Sequence, residues 1–542
     1  MAVRMRDTGK STRIRDLSIP SGQLAHVDPQ ELLPLPPPYD KAEELPGFKA
    51  LTEEVKGRLE ATLDDTVVVG VPKPESPEEE RALVEAFFRG LEKLFSRENN
   101  WTFLLPLLLS MEHCARCQTC ADDCPIFEES GRMEIYRPTY RAEVLRRLYF
   151  KYIKPGNKLW AKFQQGDIEV NWTLISRLLE LSYRCTLCRR CAQSCPIGVD
   201  NGLITREIRV LFSQELGLAP KELHEKGTVQ QLEVGSSTGM NPLAVKDNVE
   251  FIDEDISERT GIKVETKWDV EGADVLLIHN AGEFLAWPEN PGAFALLLDA
   301  AGITWTLSSE LAGYDGVNYG LFYDDVQLAR VATRHLEIAK KLKVKKIVMG
   351  ECGHEHKALG VIADRIANGS VPRESSMTLI EDIVFHSGIR FDPSRNDFPV
   401  TLHDPCNLTR SMGIVEPQRR VLRHLCPQFR EMTPHGVRNY CCGGGSGFAI
   451  MSGNNFTDWR MHVSGRKKFR QVLEAFADEP QGPEPPKYVC APCSNCKGQI
   501  RDLFEFYGAR ERSGFYYGGL VELVVNAMEE LKEPFLDWEM MV

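Results

Sequence analysis

The chain has 542 residues, 42% apolar and 26% charged, the make-up of a soluble globular protein with room for roughly three or four domains. A net charge of −13 speaks against a nucleic-acid partner. The longest apolar run, Trp101 to Met111, contains a proline and falls short of the roughly 20 residues that span a bilayer, so no transmembrane segment of its own is expected.

Residues 1–100 read as an extended, proline-bearing arm that ends in an amphipathic docking helix. Met1 to Arg15 is locally basic without an apolar core, so it is read as a solvated arm or a contact with a partner subunit rather than a secretory signal. The proline tracts Leu33 to Tyr39 and Val71 to Pro77 should be extended. Ser76, Pro77 and Glu79 then form a helix-start signal, and Leu83, Val84, Phe87, Phe88, Leu91, Leu94 and Phe95 recur at helical spacing, giving a face expected to fold against the same chain.

Residues 101–225 carry the strongest motif. Cys114-x2-Cys117-x2-Cys120-x3-Cys124-Pro125 is repeated as Cys185-x2-Cys188-x2-Cys191-x3-Cys195-Pro196, the run that holds two 4Fe-4S clusters in bacterial ferredoxins. The fourth cysteine of each run ligates the other cluster in such proteins, which assigns Cys114, Cys117, Cys120 and Cys195 to one cubane and Cys185, Cys188, Cys191 and Cys124 to the second. Two zinc knuckles are the alternative, but zinc sites rarely use this run. Helices are expected near Tyr140 to Tyr152, Trp172 to Tyr183 and Asn201 to Gln214. The cations Arg137, Arg141, Arg146, Arg147, Lys151, Lys154, Lys158 and Lys162 read as a solvated face or a receptor for an acidic partner. Lys226 to Asp269 is polar with little periodicity, so residues 226–270 are expected to be a linker.

From about Asp274 strands and helices alternate, as in an open parallel sheet. Strands are expected at Val275 to His279 and Lys346 to Met349, helices at Pro291 to Ala301 and Asp325 to Leu342. The pattern then repeats. Val400 to Cys406 aligns with Leu276 to Gly282, pairing His403 with His279, and Lys487 to Cys496 aligns with Lys346 to Glu355 without a gap, so residues 271–397 and 398–542 read as a tandem duplication. Only the second copy keeps a full thiol set. There Cys441 and Cys442 are followed by three glycines, and Cys406, Cys490, Cys493 and Cys496 gather nearby. Adjacent thiols beside glycines suit a bulky inorganic centre better than packing, a vicinal disulfide being the alternative. The alignment makes Cys406, Cys441, Cys442, Cys493 and Cys496 the expected ligands and leaves Cys490, opposite Met349, as a spare.

This set resembles the CCG domain of heterodisulfide reductases, and together with the twin ferredoxin runs it is most similar to the DsrK-type iron–sulfur subunits of membrane-bound DsrMKJOP complexes. The resemblance implies a helical di-cluster ferredoxin-like domain followed by tandem α/β CCG domains, α+β with α/β parts. It implies two cubane 4Fe-4S clusters and one noncubane 4Fe-4S cluster, the latter opening a disulfide or trisulfide. The partners implied are a DsrM-like membrane cytochrome b subunit, other complex subunits and a DsrC-like small thiol protein, with the chain cytoplasmic and peripheral on the cell membrane. Cys441 and Cys442 would be catalytic, His403 with Asp404 would deliver protons, and Cys352, beside His354 and His356, would receive the second sulfur. Two departures stand out: the first copy lacks the ligands, and fifty residues separate Cys442 from Cys493, a gap read as an insertion at Gly453 to Pro486. The competing functional readings are an electron relay to a flavin dehydrogenase and a scaffold with structural clusters.

Overall fold

In the computed structural model, residues 13–20, 27, 32, 34–40, 52–60, 70–100, 103–154, 168–362, 371–453 and 455–539 are described. The basic stretch before residue 13, and Lys158 and Lys162, lie outside them. A helical N-terminal half leads into two α/β units.

Ser76 caps the helix Pro77–Leu94, its hydroxyl accepting from the Glu79 amide at 3.2 Å. The buried face of this helix, Phe87, Leu91 and Leu94, packs against the helix Asn201–Leu216, with Phe87 against Phe212 at 5.6 Å between centroids. Helices Pro138–Leu148 and Trp172–Ser182 complete the bundle, so this half is helical as the periodicity predicts. The cations do not form a solvated face. Arg141 and Arg146 are buried; Arg141 donates to Thr205 and Arg146 to the Met111 carbonyl at 2.9 Å. The apolar stretch of the arm reaches across the molecule. Leu35 and Tyr39 are buried in the second α/β unit, where the Tyr39 hydroxyl meets the Ser513 hydroxyl at 3.0 Å.

The segment expected to be a linker is folded. Asn241 caps a 19-residue helix, Pro242–Thr260, and Val245, Val249, Ile252 and Ile256 bury one stripe of it against the helix Glu289–Ala300. Acids and amides surround the stripe, and Leu243 and Phe251 stand exposed off it, so the apolar residues show little periodicity, although Asn241-Pro242 is a proper helix start.

The two α/β units share one topology. Strands β1 (Val275–Ile278), β2 (Trp305–Thr306), β3 (Lys346–Met349) and β4 (Arg373–Ser375) form a parallel sheet in the order β2-β1-β3-β4. Strands β5 (Val400–Leu402), β6 (Phe429–Glu431), β7 (Lys487–Cys490) and β8 (Phe515–Gly518) form another in the order β6-β5-β7-β8. The residues expected to be an insertion after Gly453 contain the helix Arg466–Ala475, which makes the crossover from β6 to β7 as Asp325–Lys341 does from β2 to β3. A parallel β-connection requires such an element.

The units face each other about a pseudo-twofold axis. The first crossover helix of each unit packs on the last helix of the other: Glu289–Ala300 on Leu520–Asn526, and Pro417–Leu425 on Ser376–His386. Alternation along the strands divides the cores accordingly. Val275 and Leu277 of β1 and Tyr488 and Cys490 of β7 enter the core shared between the sheets, whereas Leu276 and Ile278 pack outward, and Val489 and Ala491 face the thiol cluster. At the axis the aligned residues His354 and Asn495 hydrogen-bond each other at 2.7 Å.

Candidate iron–sulfur centres

The two ferredoxin-type runs fold alike. In each loop the second and fourth residues after the first cysteine take left-handed backbone conformations, Arg116 (φ 56°) and Gln118 (φ 67°) in one, Leu187 (φ 50°) and Arg189 (φ 60°) in the other. Two such turns wrap three thiols around one volume. The Cys120 thiol is surrounded by Cys114, Cys124, Cys195 and Cys117, and Cys191 by Cys188, Cys185 and Cys124. Cys195 accepts from the Val199 amide at 3.3 Å, and Asn201 donates to Cys120 at 3.7 Å. Each fourth cysteine therefore stands beside the other run. Burial pushes Cys120 and Cys124 up to about 12, so thiolates form here only with a cation to draw off the proton. Cys117 is exposed, placing the first set at the surface.

The third set is built from strand ends, where open parallel sheets place ligands. His403 and Cys406 follow β5, Cys493 and Cys496 follow β7, and the loop carrying Cys441 and Cys442 follows β6. Thiol contacts run from Cys406 to Cys441, Cys441 to Cys442, Cys442 to Cys496 and Cys496 to Cys493. The glycines after the pair are dictated by space. Gly443 lies at φ 96°, and a Cβ there would come within 2.4 Å of the Gly465 Cα. A Cβ on Gly444 would strike Gln499 at 2.7 Å. The Gly443 and Gly444 amides donate to the Cys441 and Cys442 sulfurs at 3.4 Å each. Cys441, Cys442, Cys493 and Cys496 are at most 4% exposed, whereas Cys406 is half-buried.

His403 belongs to this group. A ring nitrogen of His403 and the sulfurs of Cys442 and Cys496 lie within 4.8 Å of one another, and among the described residues the buried ring has no nitrogen or oxygen partner, the Cys442 sulfur being the group it interacts with. Burial, then the Lys468 ammonium, hold its pKa below the ordinary imidazole value. Its counterpart His279 is instead tied to Glu283 at 3.4 Å and wedged between Phe284 and Phe294. Asp404, expected to handle protons with His403, is firmly paired. Arg419 grips both its oxygens, at 2.7 and 2.6 Å, and the Gly436 amide donates to it at 2.6 Å, so the carboxylate anchors the loop.

Cys490 points into the shared core, on the face of β7 away from the thiols, as alternation requires. Cys352 is fully enclosed. It lies near Cys493, whose sulfur accepts from the Gly353 amide at 3.3 Å, and Asn280 donates to the Cys352 sulfur at 3.8 Å. Its neighbours leave the thiol alone: His354 bonds Asn495, and His356 bonds the Cys352 carbonyl and the Ser375 hydroxyl, each at 2.8 Å.

The contact that joins the sets is invisible in sequence. The Cys188 and Cys441 thiols interact, and a Cβ on Gly445 would stand 3.1 Å from the Thr186 carbonyl and 3.9 Å from the Cys441 sulfur, so the second ferredoxin-type set abuts the third. Arg410 donates to the Cys188 carbonyl at 2.6 Å, and Arg209 links the Cys185 carbonyl, at 2.7 Å, to the Ser446 hydroxyl. A thiol-rich pocket lined by close glycines, with a buried imidazole beside the sulfurs, fits soft iron–sulfur centres.

Comparison with known proteins agrees. The 4Fe-4S dicluster domain family matches residues 110–199, and the cysteine-rich domain (CCG) family matches residues 400–501. The chain is an iron–sulfur protein. It is 27% identical to the Hdr-like menaquinol oxidoreductase iron-sulfur subunit 2 of Archaeoglobus fulgidus, over 78% of this chain and 80% of that protein. The Hdr-like menaquinol oxidoreductase iron-sulfur subunit of Archaeoglobus profundus is also 27% identical, over 77% and 79%. A component of the dihydromethanophenazine:CoB–CoM heterodisulfide reductase of Methanosarcina acetivorans is 25% identical, over 73% and 89%. These relationships support an iron–sulfur electron-transfer oxidoreductase subunit that is related to those proteins. Among the described residues, no helix is long and apolar enough to cross a membrane.

Proposed function

We propose that the chain is the DsrK-type subunit of a membrane-associated complex, taking electrons from a quinol-oxidising cytochrome b partner and reducing a protein-borne disulfide or trisulfide of the DsrC type. The single observation that carries the reading is the contact of Cys188 with Cys441, which makes one continuous series of thiol sets from the exposed Cys117 to the enclosed Cys442. Cys114, Cys117, Cys120 and Cys195 would hold one cubane; Cys185, Cys188, Cys191 and Cys124 the second; Cys406, Cys441, Cys442, Cys493 and Cys496 a noncubane 4Fe-4S cluster. When bound, such clusters supply one-electron transfer and, at the last of them, the two electrons that an S–S bond consumes.

The chain's residues do the rest. Burial of four of the five last ligands keeps water away, and half-buried Cys406 marks the side from which a sulfur substrate reaches them. Each S–S bond opened takes two protons as well as two electrons. The His403 ring, beside Cys442 and Cys496 and without a nitrogen or oxygen partner among the described residues, is placed to pass one of those protons. In this reading the first α/β unit is a copy that lost its thiols, Glu355 standing where Cys496 stands, and Cys352 is the one thiol left to meet a second sulfur. The protein would lie on the cytoplasmic face of the membrane.

A second reading, a pure electron relay to a flavin dehydrogenase, draws support from the near-complete burial of Cys441, Cys442, Cys493 and Cys496. Iron counting and EPR on anaerobically purified protein separate the two. Roughly twelve irons, from three four-iron clusters, with an oxidised signal that depends on added thiol and is lost in Cys442→Ser, supports sulfur chemistry. Roughly eight irons with cubane signals alone leaves a relay.

A further inference from the structure

Two cations lie buried against the third thiol set without a carboxylate to pair with. Arg410, 7% exposed, donates through Nε to the Cys188 carbonyl at 2.6 Å and through Nη1 to the Val437 and Asn439 carbonyls at 3.0 and 2.9 Å; its Nη2 has no partner. The charges facing it are Cys188, Cys406, Cys441 and Asp404. Lys468, fully buried on the crossover helix Arg466–Ala475, donates to Asn439 Oδ1 at 2.8 Å, to Gln471 and, at 3.5 Å, to the Met432 sulfur. Burial lowers its pKa to about 7, and the charges of Asp404, Cys442, Cys441 and Cys496 act the other way, so its ammonium form depends on anions at this site. Asp404 faces both cations, but both its oxygens are already held by Arg419. Among the described residues neither cation forms a salt bridge.

Burying a full charge among neutral acceptors is costly unless an opposite charge stands close by. Besides the Arg419-paired carboxylate of Asp404, the anions facing them among the described residues are the thiolates, with Cys441 common to both. Asn439 holds the pair in place from one position, two residues before Cys441, its carbonyl serving Arg410 and its side-chain oxygen serving Lys468. Iron–sulfur centres carry net negative charge that grows on reduction, and charge and N–H donors near their sulfurs set the potential.

We propose that Arg410 and Lys468 are the potential-setting counter-cations of the centre held by Cys406, Cys441, Cys442, Cys493 and Cys496, with Arg410 shared across the Cys188–Cys441 contact by the neighbouring cubane. They favour the reduced form of the last centre, so that electrons arriving at Cys188 fall toward Cys441. Both are positioning residues, acting through the charge they hold beside the ligands. The proposal rests on the reading of that thiol set as a third centre.

The test is an EPR-monitored redox titration of the full holoprotein and of Lys468→Met, Lys468→Arg, Arg410→Gln and Arg410→Lys, each with its iron counted. Lys468→Met and Arg410→Gln are expected to lower the one-electron reduction equilibrium of the third centre at least tenfold, about 59 mV. The charge-preserving variants are expected to stay closer to the parent, and Arg410→Gln alone to move the second cubane as well. Loss of the third centre's iron in Lys468→Met with retention in Lys468→Arg supports the same conclusion, since the charge is then needed to hold the anionic centre. Parent-like midpoints in both neutral variants at full iron content would overturn the proposal. So would equal shifts in Lys468→Met and Lys468→Arg. A parent protein with only two four-iron centres removes the third-centre reading and this inference with it, an outcome separate from a third centre whose potential does not move.

Discussion

Asp404 shows how a side chain beside a ligand can be structural. It is fully buried, and its pairing with Arg419, itself 1% exposed and also held by Glu431, ties the end of β5 to the helix Pro417–Leu425 and to the loop entering Cys441. Replacing Asp404 with Asn leaves a buried guanidinium short of charge, and the expected loss is about 3–5 kcal/mol, read as a lower denaturant midpoint, with Asp404→Ala at least as damaging. Intact stability in Asp404→Asn together with a shifted pH profile of turnover would instead return Asp404 to the proton path. His403 is the converse case. His403→Asn is expected to keep the iron content and slow sulfur reduction by about 10²-fold, the range of a lost general acid, measured as turnover with an artificial reductant. At this scale the alignment of the two copies was what set Cys490 apart from Cys493 and Cys496, and in the structure strand alternation turns Cys490 into the shared core. It could not separate His403 from Asp404, since what distinguishes them is Arg419, fifteen residues away, and the ring beside Cys442, which has no nitrogen or oxygen partner among the described residues.

The elements that carry their own punctuation were the legible ones. Ser76-Pro77 starts its helix where expected, although Glu79 reaches back to the Glu75 amide, at 2.7 Å, rather than to that of Ser76. Ser76→Ala should therefore cost only the cap, about 1 kcal/mol, seen as faster amide exchange in the first turn of Pro77–Leu94 and no change in iron content. Strands β3 and β7 fall on the residues that the gapless alignment pairs, Lys346–Met349 and Lys487–Cys490, because a fully buried parallel strand is a short apolar run. The helix Pro242–Thr260 escaped notice because its apolar stripe is four residues among acids and amides. Arg141 and Arg146 misled for a related reason: charge content describes composition, while their burial depends on Thr205 and the Met111 carbonyl, which only the packed bundle brings to them. The crossover helix Arg466–Ala475 looked like extra chain because its partner in the first unit, Asp325–Lys341, has a different sequence and the same topological duty.

Across the whole molecule, the pseudo-twofold arrangement gives the thiol-poor unit a use that does not depend on clusters: it walls the third thiol set. Gly353 donates to Cys493, the Ser494 amide donates to the Glu351 carbonyl at 2.7 Å, and Lys497 of the second unit is enclosed by Glu283 of the first, at 3.5 Å, and by Glu522, at 3.9 Å. Glu351 completes this buried cluster, accepting from the Leu520 amide at 2.8 Å and from Asn290 at 3.1 Å. Burial, then repulsion by Glu522, raise Glu351 to about 8, with Lys497 opposing. The folded protein thus holds a proton on Glu351 that the unfolded chain releases near pH 4.5, the ordinary value for this carboxyl. The folded state binds more protons between those two values, so stability is greatest below the lower one and declines as pH rises through the window, by about 1.4 kcal/mol per pH unit at most. Denaturant midpoints of the full protein are expected to fall between pH 6 and pH 8, and Glu351→Gln to flatten that fall, matching the parent most closely near pH 4.5 and exceeding it increasingly as pH rises. An equal slope in Glu351→Gln would show that the inter-unit carboxylates are ionised and held by Lys497 alone, in which case Lys497→Met should be the more damaging substitution at every pH.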